Sequence, residues 1–70
     1  DKMPNLSLLR KKIDNSGLTV TAIAQKSGLK RETLYNKLQG DSEFKASEIS
    51  ALTFVLQMSR EERDQIFFAS

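Results

Sequence analysis

Residues 18–40 read LTVTAIAQKSGLKRETLYNKLQG, and this stretch decides the fold of the chain. Thr19 is a favourable N-cap, so a short helix is expected over Val20 to Ser27. Gly28 can adopt the positive φ of a tight turn, and a further helix is expected over about Arg31 to Gln39. Ala24 lies four residues before that glycine, where its small side chain lets two backbones approach. The pattern predicts two short helices that meet at a sharp angle.

Apolar side chains are spaced to hold these two helices at that angle. Ile23, Leu29 and Leu34 are expected to share one pocket. Leu38 continues the buried side of the helix expected over Arg31 to Gln39. Two short helices joined by such a turn form a helix-turn-helix, a unit whose second helix enters the major groove in many DNA-binding proteins. The sequence therefore predicts a helix-turn-helix over roughly residues 19–39.

A first helix precedes this unit. It is expected to begin after Asn5, a favourable N-cap, and to end near Ser16, because Gly17 can take a left-handed conformation. Its apolar stripe consists of Leu6, Leu9 and Ile13 and is widened by Leu8. The stripe predicts that one side of this helix faces the core.

A fourth helix follows the polar linker at residues 41–43, and Phe44 is expected to return the chain to the core before it. This helix is expected over about Ala46 to Gln57. Its apolar positions are Ile49, Leu52, Val55 and Leu56. No strand pattern interrupts the series, so the sequence predicts an all-α domain.

The fifth helix is expected to run from Ser59 toward Ala69, because Ser59 and Glu62 form the pattern of a capping box. Phe67 and Phe68 are adjacent in it, and one narrow stripe cannot bury both rings. One ring is therefore a candidate for a dimer or partner contact. The alternative is that both rings pack in the core.

Composition restricts the function classes. Seventy residues suffice for one domain, expected over residues 3–70, because Asp1 and Lys2 look like the remnant of a cleavage tag. The sequence contains no cysteine and no histidine, which argues against disulfides and nearly every transition-metal site. It also has no glycine-rich phosphate loop, no clustered pair of carboxylates and no apolar run of about 20 residues. We expect no enzyme activity, no metal, no cofactor, no small-molecule substrate and no membrane partner.

Charge is divided unevenly along the chain. Residues 3–40 carry seven basic and two acidic side chains, a net charge of +5. Residues 41–70 carry three basic and six acidic side chains, a net charge of −3. A basic half joined to an acidic half indicates one face for a polyanion. The alternative is a solvated surface on which the charges merely segregate.

Two segments carry a resemblance to a known class of proteins. Residues 28–40 read GLKRETLYNKLQG and residues 59–68 read SREERDQIFF. With the chain between about Leu6 and Phe68, they resemble small Cro-like helix-turn-helix regulators of phages that infect Gram-positive bacteria, within the phage-repressor class. The resemblance implies a compact five-helix, all-α domain that works in the lysis–lysogeny switch, in the cytoplasm of a bacterial host.

The third helix would present a polar face to DNA, on the side away from Leu34 and Leu38. The side chains expected on that face are Arg31, Glu32, Tyr35, Asn36 and Gln39. Arg31 suits guanine, and Asn36 or Gln39 suits adenine. Phosphate contacts are expected from Thr21, Lys26 and Lys30. Since one reading helix makes few contacts, a homodimer on operator double-stranded DNA is expected. The alternative for each residue is a merely solvated side chain.

One departure from the repressor class motivates a second hypothesis. The first position of the second helix is commonly polar in that class, whereas here it is Val20. An exposed Val20, close to Tyr35 and the acidic Glu32, suits a protein surface. Under this second hypothesis, the chain is a modulator of repression, an antirepressor. It would cover the DNA-binding domain of the phage repressor with the face formed by its second and third helices.

Overall fold

The computed structural model describes residues 4–68, which form helices joined by turns and contain no strand. The helices are α1 (Leu6–Ser16), α2 (Val20–Ser27), α3 (Arg31–Leu38), α4 (Ala46–Val55) and α5 (Arg60–Arg63), and α5 continues directly into a π-helical turn (Asp64–Phe68). The expected all-α class is confirmed. The suggested tag remnant at residues 1–2 and the expected end of the last helix at Ala69 lie outside the described residues. Over residues 4–68, no helix has the length and apolarity needed to cross a bilayer.

The predicted N-caps are present and make their hydrogen bonds. The side chains of Asn5 and Thr19 each accept a hydrogen bond from the backbone N–H three residues later, both at 3.1 Å. Ser59 Oγ accepts from the N–H of Glu62 at 3.1 Å, and Glu62 Oε1 accepts from the N–H of Ser59 at 2.9 Å. These bonds satisfy N–H groups that a helix start leaves without partners, so α1, α2 and α5 begin where the sequence indicates.

Helices α2, α3 and α4 end in the same left-handed turn. The residues with positive φ after these three helices are Gly28 (76°), Gly40 (89°) and Gln57 (53°). After each of them, the next residue donates its N–H to the carbonyl five positions back, at 2.9 Å in all three cases. This pattern is the Schellman motif. The helix α4 therefore ends at Val55, and the expected extension to residue 57 is wrong. The left-handed turn at Gln57 directs Met58 into the core, where it is 7% exposed.

A single hydrophobic core joins the helices. Its fully buried large side chains come one each from α1 to α4: Leu9, Ile23, Leu34 and Leu52. The remaining members are Ile13, Ala24, Leu38, Leu56, Met58, Ile66 and Phe67. The predicted stripes account for this core except for Met58. Leu8, which was expected to widen the stripe of α1, lies mainly at the surface at 38% exposure.

The C-terminal turn resolves the question of the adjacent phenyl rings. Phe67 is buried and packs edge-on against Phe44, with 5.3 Å between the ring centroids. This contact is the one expected of Phe44, which was predicted to return the chain to the core. Phe68 is 49% exposed, so the alternative in which both rings are buried is wrong. The wider π-helical turn brings Ile66 and Phe67 to the core together. The carbonyl of Ile66 lies in the last turn, where a helix leaves carbonyls without an N–H partner. It accepts a hydrogen bond from the backbone N–H of Asn5 at 2.6 Å.

Candidate functional site

The exposed side of α2 and α3 is set by what the two helices bury. Ile23 and Ala24 of α2 and Leu34 and Leu38 of α3 all face the core. Eight of the nine predicted site residues are exposed: Thr21, Lys26, Lys30, Arg31, Glu32, Tyr35, Asn36 and Gln39. The polar side chains of α3 thus occupy one continuous solvent-facing surface, which we call the α3 face (Lys30, Arg31, Glu32, Tyr35, Asn36 and Gln39).

Arg31 and Tyr35 interact on the α3 face. The Arg31 guanidinium carbon lies 5.2 Å from the centroid of the Tyr35 ring, one helical turn away, and the ring is 38% exposed. A cation over an aromatic face is held by the ring quadrupole. The contact restricts the guanidinium at the surface while leaving its N–H groups free to donate to a ligand.

Val20 is not exposed as expected. It is half-buried and packs against the core. Together with Tyr35 it lines a shallow depression where α1, α2 and α3 meet; the other lining residues are Arg10, Ile13, Asp14 and Leu38. The expectation failed because the sequence around α2 carries no information about α1, which covers one side of this valine.

Arg10 supports the end of α3, a role that the helical periodicity of α1 does not predict. Its Nη2 donates to the carbonyl oxygen of Leu38 at 3.2 Å, and so satisfies a group that the helix end leaves without a partner. A cation at a helix C-terminus is also favoured by the helix dipole. Arg10 thus helps to fix the position of the α3 face.

Lys37 is a second residue that sequence reasoning missed. Its side chain is 6% exposed, and its Nζ donates to the carbonyl oxygen of Glu43 at 2.7 Å. The same Nζ lies 3.2 Å from Glu48 Oε1, on a carboxylate that is 12% exposed, and 6.0 Å from the ring centroid of Phe44. Lys37 therefore ties α3 to the start of α4 through a buried ion pair and takes no part in the exposed face.

The carboxylate of Glu48 responds to this environment. Burial raises its pKa, but hydrogen bonds from the Lys45 N–H and the Lys37 ammonium, with the charges of both lysines, outweigh burial. The pKa of Glu48 consequently lies below its usual value of 4.5. The Glu48 carboxylate is therefore ionised at neutral pH, and it accepts charge-assisted hydrogen bonds.

A further ion pair joins α1 to α5. Lys12 Nζ lies 2.8 Å from Glu62 Oε2, and this hydrogen bond, followed by the one from the Ser59 N–H, lowers the pKa of Glu62. Two of the seven bases in residues 3–40 are therefore paired with acids of the other half. Among residues 4–68, Lys26, Lys30 and Arg31 make no ion pair. The charge segregation along the chain is thus partly cancelled in the fold.

Lys26 lies apart from the depression that Val20 and Tyr35 share. It lines two grooves with residues from the end of α4, among them Val55 and Gln57. The predicted site residues therefore divide into the α3 face, Val20 in the depression beside it, Thr21 exposed at the start of α2, and Lys26 near the α4–α5 junction.

Comparisons of this chain with known protein families, curated proteins and solved structures find no match. The resemblance to Cro-like phage regulators therefore remains a hypothesis that rests on residues 28–40 and 59–68. The geometry adds a separate argument: a short helix with its apolar side fully buried and a row of polar and cationic side chains facing solvent.

Proposed function

We propose that this chain is a Cro-like transcriptional regulator of a phage genetic switch and that α3 is the helix that reads operator DNA. The observation that carries the proposal is the α3 face, exposed along its whole length above the buried Leu34 and Leu38. A helix of this kind fits the major groove, where side chains reach the base edges.

The chemistry of the α3 face suits readout of base pairs. Arg31 donates a fork of N–H groups that matches guanine, and the amides of Asn36 and Gln39 match adenine. Glu32 accepts from the amino group of cytosine and repels misplaced phosphates. Lys30 contacts the backbone, as does Thr21 from the start of α2. One such module buries about 600–1,000 Å², so we expect two copies to bind a symmetric operator.

The first test is a selection of double-stranded DNA from a random-sequence library, followed by titration of the enriched duplex against the protein at several salt concentrations. We expect a linear fall of log affinity with log salt, with a slope of about −0.9 for each neutralised phosphate. Arg31→Ala is expected to weaken binding to the enriched duplex by about 10- to 100-fold, as loss of a bidentate base contact does.

Arg60→Ala is the matched control for that variant. It removes the same chemical group from an exposed position at the start of α5 and should leave discrimination between duplexes unchanged. Circular dichroism should report equal helicity for both variants. Failure to enrich any sequence, together with no mobility shift at low salt, would exclude direct DNA binding by this chain alone.

A second candidate function has an observation of its own. The depression lined by Val20 and Tyr35 offers apolar surface directly beside the α3 face. Two bases, Lys12 and Lys37, are engaged in internal ion pairs, which leaves less positive charge for a polyanion. Both features favour a protein partner, and we propose as the alternative an antirepressor that covers the DNA-binding domain of the phage repressor.

The second test is calorimetric titration of this chain against the isolated DNA-binding domain of the phage repressor. If the alternative holds, a stable complex forms, and Tyr35→Ala weakens it about tenfold or more because an aromatic anchor is lost. Gln25→Ala, at an exposed position of α2 outside the predicted set, should have no effect. Absence of heat and of a co-eluting complex in size-exclusion chromatography would remove this candidate.

A further inference from the structure

A separate surface lies at the junction of α4 and α5. Phe54, near the end of α4, is 85% exposed and is the most exposed large apolar side chain in residues 4–68. It borders a groove, which we call the Phe54 groove. The lining residues that carry its chemistry are Lys26, Thr53, Phe54, Val55, Met58 and Arg63. Apart from Lys26, none of them belongs to the predicted site residues.

The Phe54 groove combines an apolar floor with positive charge. Val55 is half-buried and Met58 is 7% exposed, so both present apolar surface from below. The charged residues in the lining are Lys26 and Arg63, and the lining contains no carboxylate. Lys26 makes no ion pair within the described part of the chain, whereas Arg63 is paired with its neighbour Asp64 at 2.9 Å.

Arg63 connects this groove to a second exposed aromatic side chain. Its guanidinium carbon lies 5.7 Å from the ring centroid of Phe68, which is 49% exposed. Two accessible phenyl rings and an arginine are the residue types that are enriched at the energetic centres of protein–protein interfaces. Positive charge and exposed apolar area therefore lie side by side on this surface.

The walls of the groove are held by hydrogen bonds to backbone carbonyls. The N–H of Met58 donates to the carbonyl of Thr53 at 2.9 Å, and the Thr53 hydroxyl donates to the carbonyl of Ile49 at 2.7 Å. The left-handed Gln57 closes the turn between the two helices. A surface that is ordered in this way loses little conformational entropy when a ligand binds.

We propose that the Phe54 groove docks a segment of a partner protein in which large apolar side chains stand next to carboxylates. The apolar side chains would cover Phe54 and the floor, and the carboxylates would pair with Lys26 and Arg63. A second copy of this chain fits less well, because two-fold pairing opposes the same patch to itself and brings the cations of both copies together. A DNA backbone would use the cations and gain nothing from an exposed phenyl ring.

The test is an NMR titration of the isotope-labelled full chain with a synthetic amphipathic peptide that has leucine on one side and glutamate on the other. Two matched peptides replace every glutamate by glutamine or every leucine by serine. We expect the first peptide to shift the amide resonances of Thr53, Phe54 and Met58, and both matched peptides to bind about tenfold or more weakly. Phe54→Ala should weaken binding by a similar factor, and it should fold because the ring is exposed.

The variants Lys26→Ala and Tyr35→Ala distinguish binding in the Phe54 groove from binding on the α3 face. The proposal requires that Lys26→Ala weaken the peptide and that Tyr35→Ala, on the α3 face, leave it unchanged. The proposal is overturned if the leucine–glutamate peptide causes no shifts, or if the serine peptide binds equally well. It is also overturned if a duplex DNA shifts the same resonances with an affinity that Phe54→Ala does not alter, or if Phe54→Ala converts a dimer to a monomer in sedimentation.

Discussion

Replacing Lys37 by methionine is expected to lower the free energy of unfolding by about 3 kcal/mol. The substitution keeps the volume of the buried side chain but leaves the Glu48 carboxylate, 12% exposed, without its ammonium partner. It also removes the hydrogen bond that holds the carbonyl of Glu43. For a domain of this size that loss is a large share of the total stability. Urea denaturation followed by circular dichroism measures it.

The double variant Lys37→Met, Glu48→Gln separates a lost ion pair from lost packing. Glutamine can still accept the N–H of Lys45 and carries no charge, so the double variant should recover a substantial part of the loss. Lys11→Met is the control, because it removes an exposed ammonium from α1 and should change stability by less than about 0.5 kcal/mol. Equal losses in Lys37→Met and Lys11→Met would contradict a stabilising role for the buried pair.

The same pair gives Glu48→Gln an expected pH signature. The pKa of Glu48 is lower in the folded chain than its usual value of 4.5, so its stabilisation is complete above that value and is lost as the pH falls through the lower, folded-state pKa. The stability difference between the wild type and Glu48→Gln should therefore narrow below that usual value. The pKa of Glu62, also lowered, is common to both proteins and cancels in the comparison. A difference that stays constant across the acid range would show that Glu48 does not contribute through its charge.

Replacing Leu34 by alanine is expected to lower the free energy of unfolding by about 3–5 kcal/mol. Leu34 is fully buried at the centre of α3, where it joins α3 to the residues of α1, α2 and α4 in the core. The truncation loses apolar burial and leaves a cavity that the surrounding helices can only partly fill. Thermal and urea unfolding would give the loss.

Leu8→Ala is the matched control for Leu34→Ala. Leu8 is the same residue type at 38% exposure on α1, and its truncation should cost less than about 1 kcal/mol. A loss for Leu34→Ala no larger than for Leu8→Ala would mean that α3 is not anchored through this residue. Any effect of Leu34→Ala on ligand binding should be measured well below its unfolding temperature.

Much of the site could be predicted from the sequence, because its residues follow from helical periodicity. Once Leu34 and Leu38 are buried, a spacing of 3.6 residues per turn places Asn36 on the opposite side of α3. Arg31 stands three residues before Leu34, on the side of the buried leucines, and is exposed because it is the first residue of the helix. The exposure of the α3 face needed no knowledge of the other helices. Val20 shows the limit of this reasoning, because its burial depends on α1 and not on its own helix.

The sequence by itself determined the helices, the N-caps of α1, α2 and α5, and most of the core. A capping bond spans three residues and an apolar stripe repeats within one helix, so both are properties of the local chain.

The tertiary structure decided which charges remain free. Lys37 reaches Glu48 and Lys12 reaches Glu62 only after the helices have packed. It also decided that Gln57, without the freedom of a glycine, takes a left-handed turn, because burial of Met58 in the assembled core compensates the backbone strain. Partners distant along the chain are chosen by packing, and the pattern of a single helix does not contain that choice.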